Sequence, residues 1–128
     1  MTQEKSIKIW LEGAKDALDT ANKLFDNKKY NHSLFFFHLA LEKILKAVYV
    51  SMKDEAAPYS HNLVDLAHKL ELDLNEKDYA KLAEISDFNV SARYESHKYK
   101  IYKKATKDYS AKWLEICKDY YQYFLKLI

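Results

Sequence analysis

Arg93 and His97 are the residues in this sequence whose types and spacing most readily permit chemistry. They stand four apart in Ala92-Arg93-Tyr94-Glu95-Ser96-His97, so one helical turn through the segment would put both side chains on the same side. An imidazole titrates near neutrality and moves protons, while a guanidinium stabilises a charged phosphorane. Together they can cleave RNA through its own 2′-hydroxyl without a metal. The plainer reading, a solvated or hydrogen-bonded surface histidine, stays open beside it. Arg93 stands out in another way: 20 of the 21 basic residues are lysine, so it is the one guanidinium in the chain. A planar fork grips phosphate or carboxylate in a bidentate way that an ammonium cannot.

The charge around this pair is lopsided. From Arg93 to Lys107 the cations are Arg93, Lys98, Lys100, Lys103, Lys104 and Lys107 against Glu95 alone, a net of +5 in a chain whose total is +2. Tyr94, Tyr99 and Tyr102 interleave with them. Cations set beside aromatic faces suit the phosphates and bases of a nucleotide or of single-stranded RNA. On these residues alone a solvated, lysine-rich loop is an equal reading. The binding candidates are Arg93, Tyr94, Lys98, Tyr99, Lys100 and Lys103; the catalytic candidates are Arg93 and His97.

Other titratable groups read as structural. His61 and His68 are seven apart and share a helical face. Without a cysteine partner, a histidine at four-residue spacing or clustered carboxylates they do not make a zinc site, and no metal or cofactor is expected. His61 reads as a residue near the start of a helix, His38 as a core histidine within an apolar run, and His32 as exposed. Glu42 and Lys46 form an ordinary pair four apart unless their helix buries them, in which case they need partners. Cys117, the single cysteine, falls in an apolar helical stretch where a buried small hydrophobe is expected. With no disulfide available, a reducing, cytoplasmic setting fits.

The elements that must position these groups are helical. One glycine and one proline in 128 residues exclude Gly-rich phosphate loops and make hairpins costly. The length and 48% apolar content suit one domain over residues 1–128 with a core of its own. Apolar runs such as Ser33 to Ala40 fall far short of the roughly 20 residues a membrane span needs. The charged N-terminus does not read as a signal peptide. Ile7, Trp10, Leu11, Ala14, Ala17, Leu18, Ala21, Leu24 and Phe25 keep helical spacing up to a polar turn at Asp26 to Lys29.

A second helix, capped near Asn31 and running to about Met52, is apolar around most of its circumference and is therefore the expected centre. After a loop from Lys53 to Ser60 comes a short helix on Leu63, Leu66, Ala67 and Leu70. Asn75 then caps another, with Tyr79, Leu82, Ala83 and Ile85 inward. Periodicity fails from Asp87 to Thr106, so this stretch is expected to be irregular. The last helix starts near Thr106 or Lys107 and carries two apolar stripes, one with Trp113, Ile116, Tyr120, Tyr123 and Leu127, the other with Leu114, Cys117, Tyr121, Phe124 or Leu125, and Ile128. Either one broad core face or a second surface for a partner chain accounts for them.

Three stretches, in order, resemble the HEPN (higher eukaryotes and prokaryotes nucleotide-binding) domain family. They are the tyrosine-led helix from Tyr30 with Ala40, Glu42, Lys43, Lys46 and Ala47; Tyr59-Ser60-His61-Asn62-Leu63; and Ser91-Ala92-Arg93-Tyr94-Glu95. The resemblance implies an all-α, antiparallel up-and-down bundle of four to five helices, usually a homodimer, with the arginine facing a cleft near the dimer interface. It also implies a partner, commonly a minimal nucleotidyltransferase, in toxin–antitoxin or stress systems. Many members are metal-independent endoribonucleases with a longer gap between arginine and histidine; here three residues separate Arg93 from His97. His97-Lys98-Tyr99 resembles the ending of toxin members whose tyrosine is modified by the partner. The expected role is thus nucleotide or RNA binding, the alternative RNA cleavage by Arg93 and His97.

Overall fold

The computed structural model describes residues 1–93 and 104–128, with side chains outside 90–93. Within them the chain forms five helices and no strand: α1 (Gln3–Asp26), α2 (Tyr30–Lys53), α3 (Leu63–Lys69), α4 (Glu76–Arg93) and α5 (Lys107–Leu125). They pack antiparallel around α2, which touches each of the other four. Its sequence explains why: Leu34, Phe37, Leu41, Ile44, Leu45 and Val48 point in several directions, and all are buried.

α1 lies along α2 through an alanine seam. Ala14, Ala17 and Ala21 are the buried residues of α1, while larger members of its stripe such as Leu11 and Leu18 are only partly buried. Small side chains let the backbones approach, and the Ser33 hydroxyl donates to the Ala21 carbonyl at 2.8 Å. At the other end of the pair, the Gln3 amide donates to the carbonyls of Val50 and Ser51 in the last turn of α2, the first of which also accepts from the Asp54 amide. Midway, Gly13 faces Lys43: a Cβ there would lie 3.1 Å from the lysine Cδ. The glycine makes room for that side chain to cross α1.

Caps set the remaining boundaries. Asn62 accepts from the amides of Val64 and Asp65 to start α3. Asn75 and Asp78 exchange side-chain and backbone bonds to start α4, and Thr106 accepts from the Tyr109 amide to start α5. α2 differs from expectation: it begins at Tyr30 behind Lys29 with no side-chain cap, and Asn31 sits inside the first turn. With a single glycine available, Lys28, Asp54 and Glu71 take the left-handed backbone conformation, Lys28 and Asp54 just past the ends of α1 and α2 and Glu71 just past the end of α3.

The expected break at Asp87 does not occur, since α4 runs on to Arg93. Phe88 is buried edge-on against Trp113 and Tyr109 of α5, and Asn89 is buried beside it. A polar residue on the inner face interrupts the apolar count without interrupting the helix. Ala83, expected inward, is exposed. On α5 the second stripe is the core one, with Leu114, Cys117, Tyr121 and Phe124 buried; of the first, only Trp113 is buried. Ile116, Tyr120 and Tyr123 instead line a groove of about 350 Å³ with Leu74, Asp78 and Lys81. Among the described residues, no helix is long and apolar enough to cross a membrane.

Candidate functional site

His38, Glu42 and Lys46 succeed one another at four-residue intervals, so they form one polar line along the most apolar helix of the bundle. All three are buried: His38 fully, Glu42 to 4% exposure and Lys46 to 6%. Charges at such depth persist only when paired and hydrogen-bonded. The Lys46 ammonium donates to Glu42 Oε2 at 3.0 Å and lies 5.4 Å from the centre of the Trp10 ring of α1. Glu42 Oε1 accepts from His61 Nδ1 at 2.9 Å. The His61 carbonyl in turn accepts from His38 Nε2 at 2.8 Å.

These contacts fix the protons. A carbonyl only accepts, so Nε2 of His38 carries the hydrogen in that bond; an ionised carboxylate only accepts, so His61 presents Nδ1–H to Glu42. His61 is therefore held in one tautomer by a buried carboxylate while 42% of its side chain stays exposed. A carboxylate that orients an imidazole in this way fixes the ring's orientation as well as its tautomer.

The loop between α2 and α3 is tied at successive residues. The Ser60 amide donates to the Pro58 carbonyl, and the Asn62 amide to the Ser60 hydroxyl. The Leu63 amide donates to the Ser86 hydroxyl of α4 at 2.9 Å. His68 and Tyr79 meet further along, with ring centres 4.5 Å apart. Pairing Leu63 with Ser86 and His68 with Tyr79 makes α3 and α4 antiparallel, which sets the loop carrying His61 beside the C-terminal half of α4. Arg93, the last residue of α4, lies seven residues beyond Ser86. That is about two turns, or roughly 10 Å, farther along the helix axis.

The sequence candidates divide accordingly. Arg93 belongs to the described backbone; Tyr94, His97, Lys98, Tyr99, Lys100 and Lys103 lie outside the described residues. Lys104 is tied down: its ammonium donates to Glu84 at 2.9 Å, and the same carboxylate oxygen accepts from the Tyr109 hydroxyl. Burial and the negative Glu84 push the Tyr109 phenol well above its ordinary range. His32 is exposed and His38 is a core histidine, both as expected. Cys117 is buried, and burial pushes its thiol far up, which suits packing and not nucleophilic attack. Among the described residues, no group of three or more His, Cys, Asp or Glu side chains could hold a metal.

Sequence reasoning required partners for Glu42 and Lys46 once buried, but missed that His61 is one of them. The two are 19 residues apart with a loop between, so no local spacing connects them. The available signal was the apolar surround of α2, which buries any charge on its inner faces.

The HEPN domain family matches residues 7–127. No curated protein matches the chain. Among solved structures, the crystal structure of TT1696 from Thermus thermophilus is similar, with a TM-score of 0.79 and 17% identity over 95% of this chain and 98% of that one. At that identity the likeness is one of fold.

Proposed function

The chain belongs to the HEPN domain family, and from that premise we propose that it is a nucleotide- or RNA-binding helical module that works with a minimal nucleotidyltransferase in a two-component, toxin–antitoxin-like system. The observation that carries this reading is the concentration of charge between Arg93 and Lys107, six cations against Glu95, in a chain that is otherwise slightly acidic. α4 delivers the single arginine to the edge of that segment. Lys104 is engaged by Glu84, so Arg93, Lys98, Lys100 and Lys103 are the proposed phosphate contacts, with Tyr94 and Tyr99 as stacking surfaces. The module acts as a cytoplasmic homodimer, a reading supported by the apolar groups α5 and the residues after it leave exposed, Tyr123, Leu125 and Ile128.

The test is affinity for a single-stranded oligoribonucleotide as a function of salt. Lysines that neutralise phosphates release counterions, so affinity falls steeply as salt rises. Replacing Lys98, Lys100 and Lys103 together flattens the logarithmic slope by about 2, from roughly 0.7 per contact. Binding that is absent, or indifferent to salt and to these lysines, removes the nucleic-acid half of the reading and leaves the protein partner.

The second reading is a metal-independent endoribonuclease using Arg93 and His97, four apart as one helical turn would align them, though closer than in the catalytic members of the family. It requires that His97→Ala abolish RNA cleavage while leaving affinity nearly intact, and that Arg93→Lys cripple cleavage through loss of the bidentate grip. Wild-type protein that leaves RNA uncut above background eliminates it.

A further inference from the structure

The groove of about 350 Å³ between the start of α4 and the C-terminal half of α5 is large enough for a small ligand. It lies well away from the basic segment. Asp78, on its wall, and Arg93 stand 15 residues apart on α4, or roughly 22 Å along the helix axis. Asp73 and Asp78 contribute from the α4 side and Asp119 from α5, against Lys81 as the cation of the lining. Three carboxylates to one ammonium leave the groove with a net charge of −2. Tyr120 and Tyr123, with Leu74 and Ile116, supply aromatic and aliphatic surface between these charges.

The aromatic side of the groove is held in place. Tyr120 stacks on Phe124 with ring centres 5.9 Å apart, and Tyr123 meets the same ring edge-on at 5.6 Å. The Tyr120 hydroxyl joins the two walls by donating to Asp78 Oδ1 at 2.6 Å, while Oδ2 of that carboxylate accepts from the Asn75 amide. The Asp73 and Asp119 carboxylates, by contrast, make no hydrogen bond or ion pair among the described residues. Like charges facing one recess concentrate a negative field there, and a cation between them relieves it.

A metal ion is the wrong cation for this geometry. Among the described residues, no three carboxylate, imidazole or thiol side chains stand close enough to share one. The charges to be matched are separated, and what separates them is apolar. Two ammonium groups on a hydrocarbon stem match both features. The positive charges balance the net −2, an ammonium is attracted to the face of a tyrosine, and methylenes cover aliphatic surface.

We propose that this groove binds a linear aliphatic diamine, with one ammonium on Asp73, the other on Asp119 and the methylene stem across Tyr120 and Tyr123. The site is separate from the nucleotide- or RNA-binding surface proposed above and does not depend on it.

The full chain, without RNA, is titrated with putrescine, with butylamine as the singly charged control and with magnesium chloride as a dication lacking a stem. Tyrosine ring resonances are followed by NMR and affinities by calorimetry. Putrescine shifts the Tyr120 and Tyr123 resonances and binds roughly fivefold more tightly than butylamine, and magnesium leaves the rings unmoved. Asp73→Asn combined with Asp119→Asn, both at exposed positions, weakens putrescine roughly fivefold and leaves the thermal midpoint in place. Tyr123→Leu keeps an apolar side chain but removes the ring face, and weakens it about threefold. Lys81→Gln acts in the opposite direction and tightens putrescine about twofold, because it removes the competing ammonium.

Putrescine that binds the double variant as it binds wild type, or no more tightly than it binds when reduced to butylamine, overturns the proposal. So does an equal response to magnesium, which would reduce the groove to diffuse negative charge. Failure of an oligoribonucleotide to bind removes the nucleic-acid reading and leaves the groove untouched.

Discussion

The pairing of Glu42 with Lys46 can be tested by removing the charges singly and together. In Glu42→Gln the side chain keeps its volume, but its one carbonyl can accept from Lys46 or His61, not both, and its amide hydrogens face a donor. The Lys46 ammonium, with 7% of its side chain exposed, is then left without a counter-charge. Breaking a buried pair from one side costs about 3 kcal/mol at the lower end of what such pairs show. In Lys46→Met the carboxylate keeps its hydrogen bond from His61 at 2.9 Å, so the cost is smaller, about 2 kcal/mol.

The double variant buries no charge. Its glutamine still accepts from His61, and the methionine packs on Trp10 where the lysine lay, so its cost is about 1–2 kcal/mol. That is about 3 kcal/mol less than additivity requires. Urea unfolding followed by circular dichroism reads the difference: with a slope near 1.5 kcal/mol per molar, the double variant unfolds roughly 2 M later than the summed single losses place it. Losses that add, or a Glu42→Gln cost below about 1 kcal/mol, would refute the reasoning, because either result means the pair is effectively in water.

Three further outcomes follow from other parts of the bundle. Gly13→Ala gains helix propensity of up to about 1 kcal/mol and gives back part of it to move the flexible end of Lys43 by a few tenths of an ångström. The net gain of about 0.5 kcal/mol raises the thermal midpoint by roughly 2 °C, and a lowered midpoint would show that Lys43 cannot move. The Tyr120 hydroxyl donates to Asp78 at 2.6 Å, and this bond holds the Asp78 carboxyl below its ordinary range. A depressed folded-state value contributes stability above the unfolded range and loses it as pH falls, so Tyr120→Phe costs about 1 kcal/mol at neutral pH and less once Asp78 protonates. Denaturation curves at neutral and acid pH that keep the same gap between variant and wild type would contradict this. Cys117 resists iodoacetamide at mildly alkaline pH until denaturant unfolds the chain; labelling of the native protein would mean that α5 opens locally.

Much of the architecture is legible in the sequence because helical periodicity is a local property. The α1 stripe, the apolar circumference of α2 and the caps Asn75 and Thr106 can all be read within a window of a few residues. Where the reading failed, a distant residue decided. Phe88 looked like part of an irregular stretch until Trp113 and Tyr109 covered it. Asn31 looked like a cap, but the short turn after α1 starts the helix a residue earlier at Tyr30. The Glu42 and His61 contact is the same problem in the site. Each residue alone is ordinary, and their meeting depends on how the α2–α3 loop folds back over α2.

The central position of α2 also orders events on the ribosome. The α1–α2 hairpin is complete once residue 53 has emerged, with short-range contacts that form quickly. Yet the sides of α2 that α3, α4 and α5 later cover are then bare, and they carry some of the most apolar surface in the molecule. Synthesis of the remaining residues takes roughly 4 to 15 s. For that interval the nascent chain is a folded hairpin with an open apolar flank, a natural client for a chaperone. The same flank makes a truncation after α2 an aggregating fragment instead of a small domain.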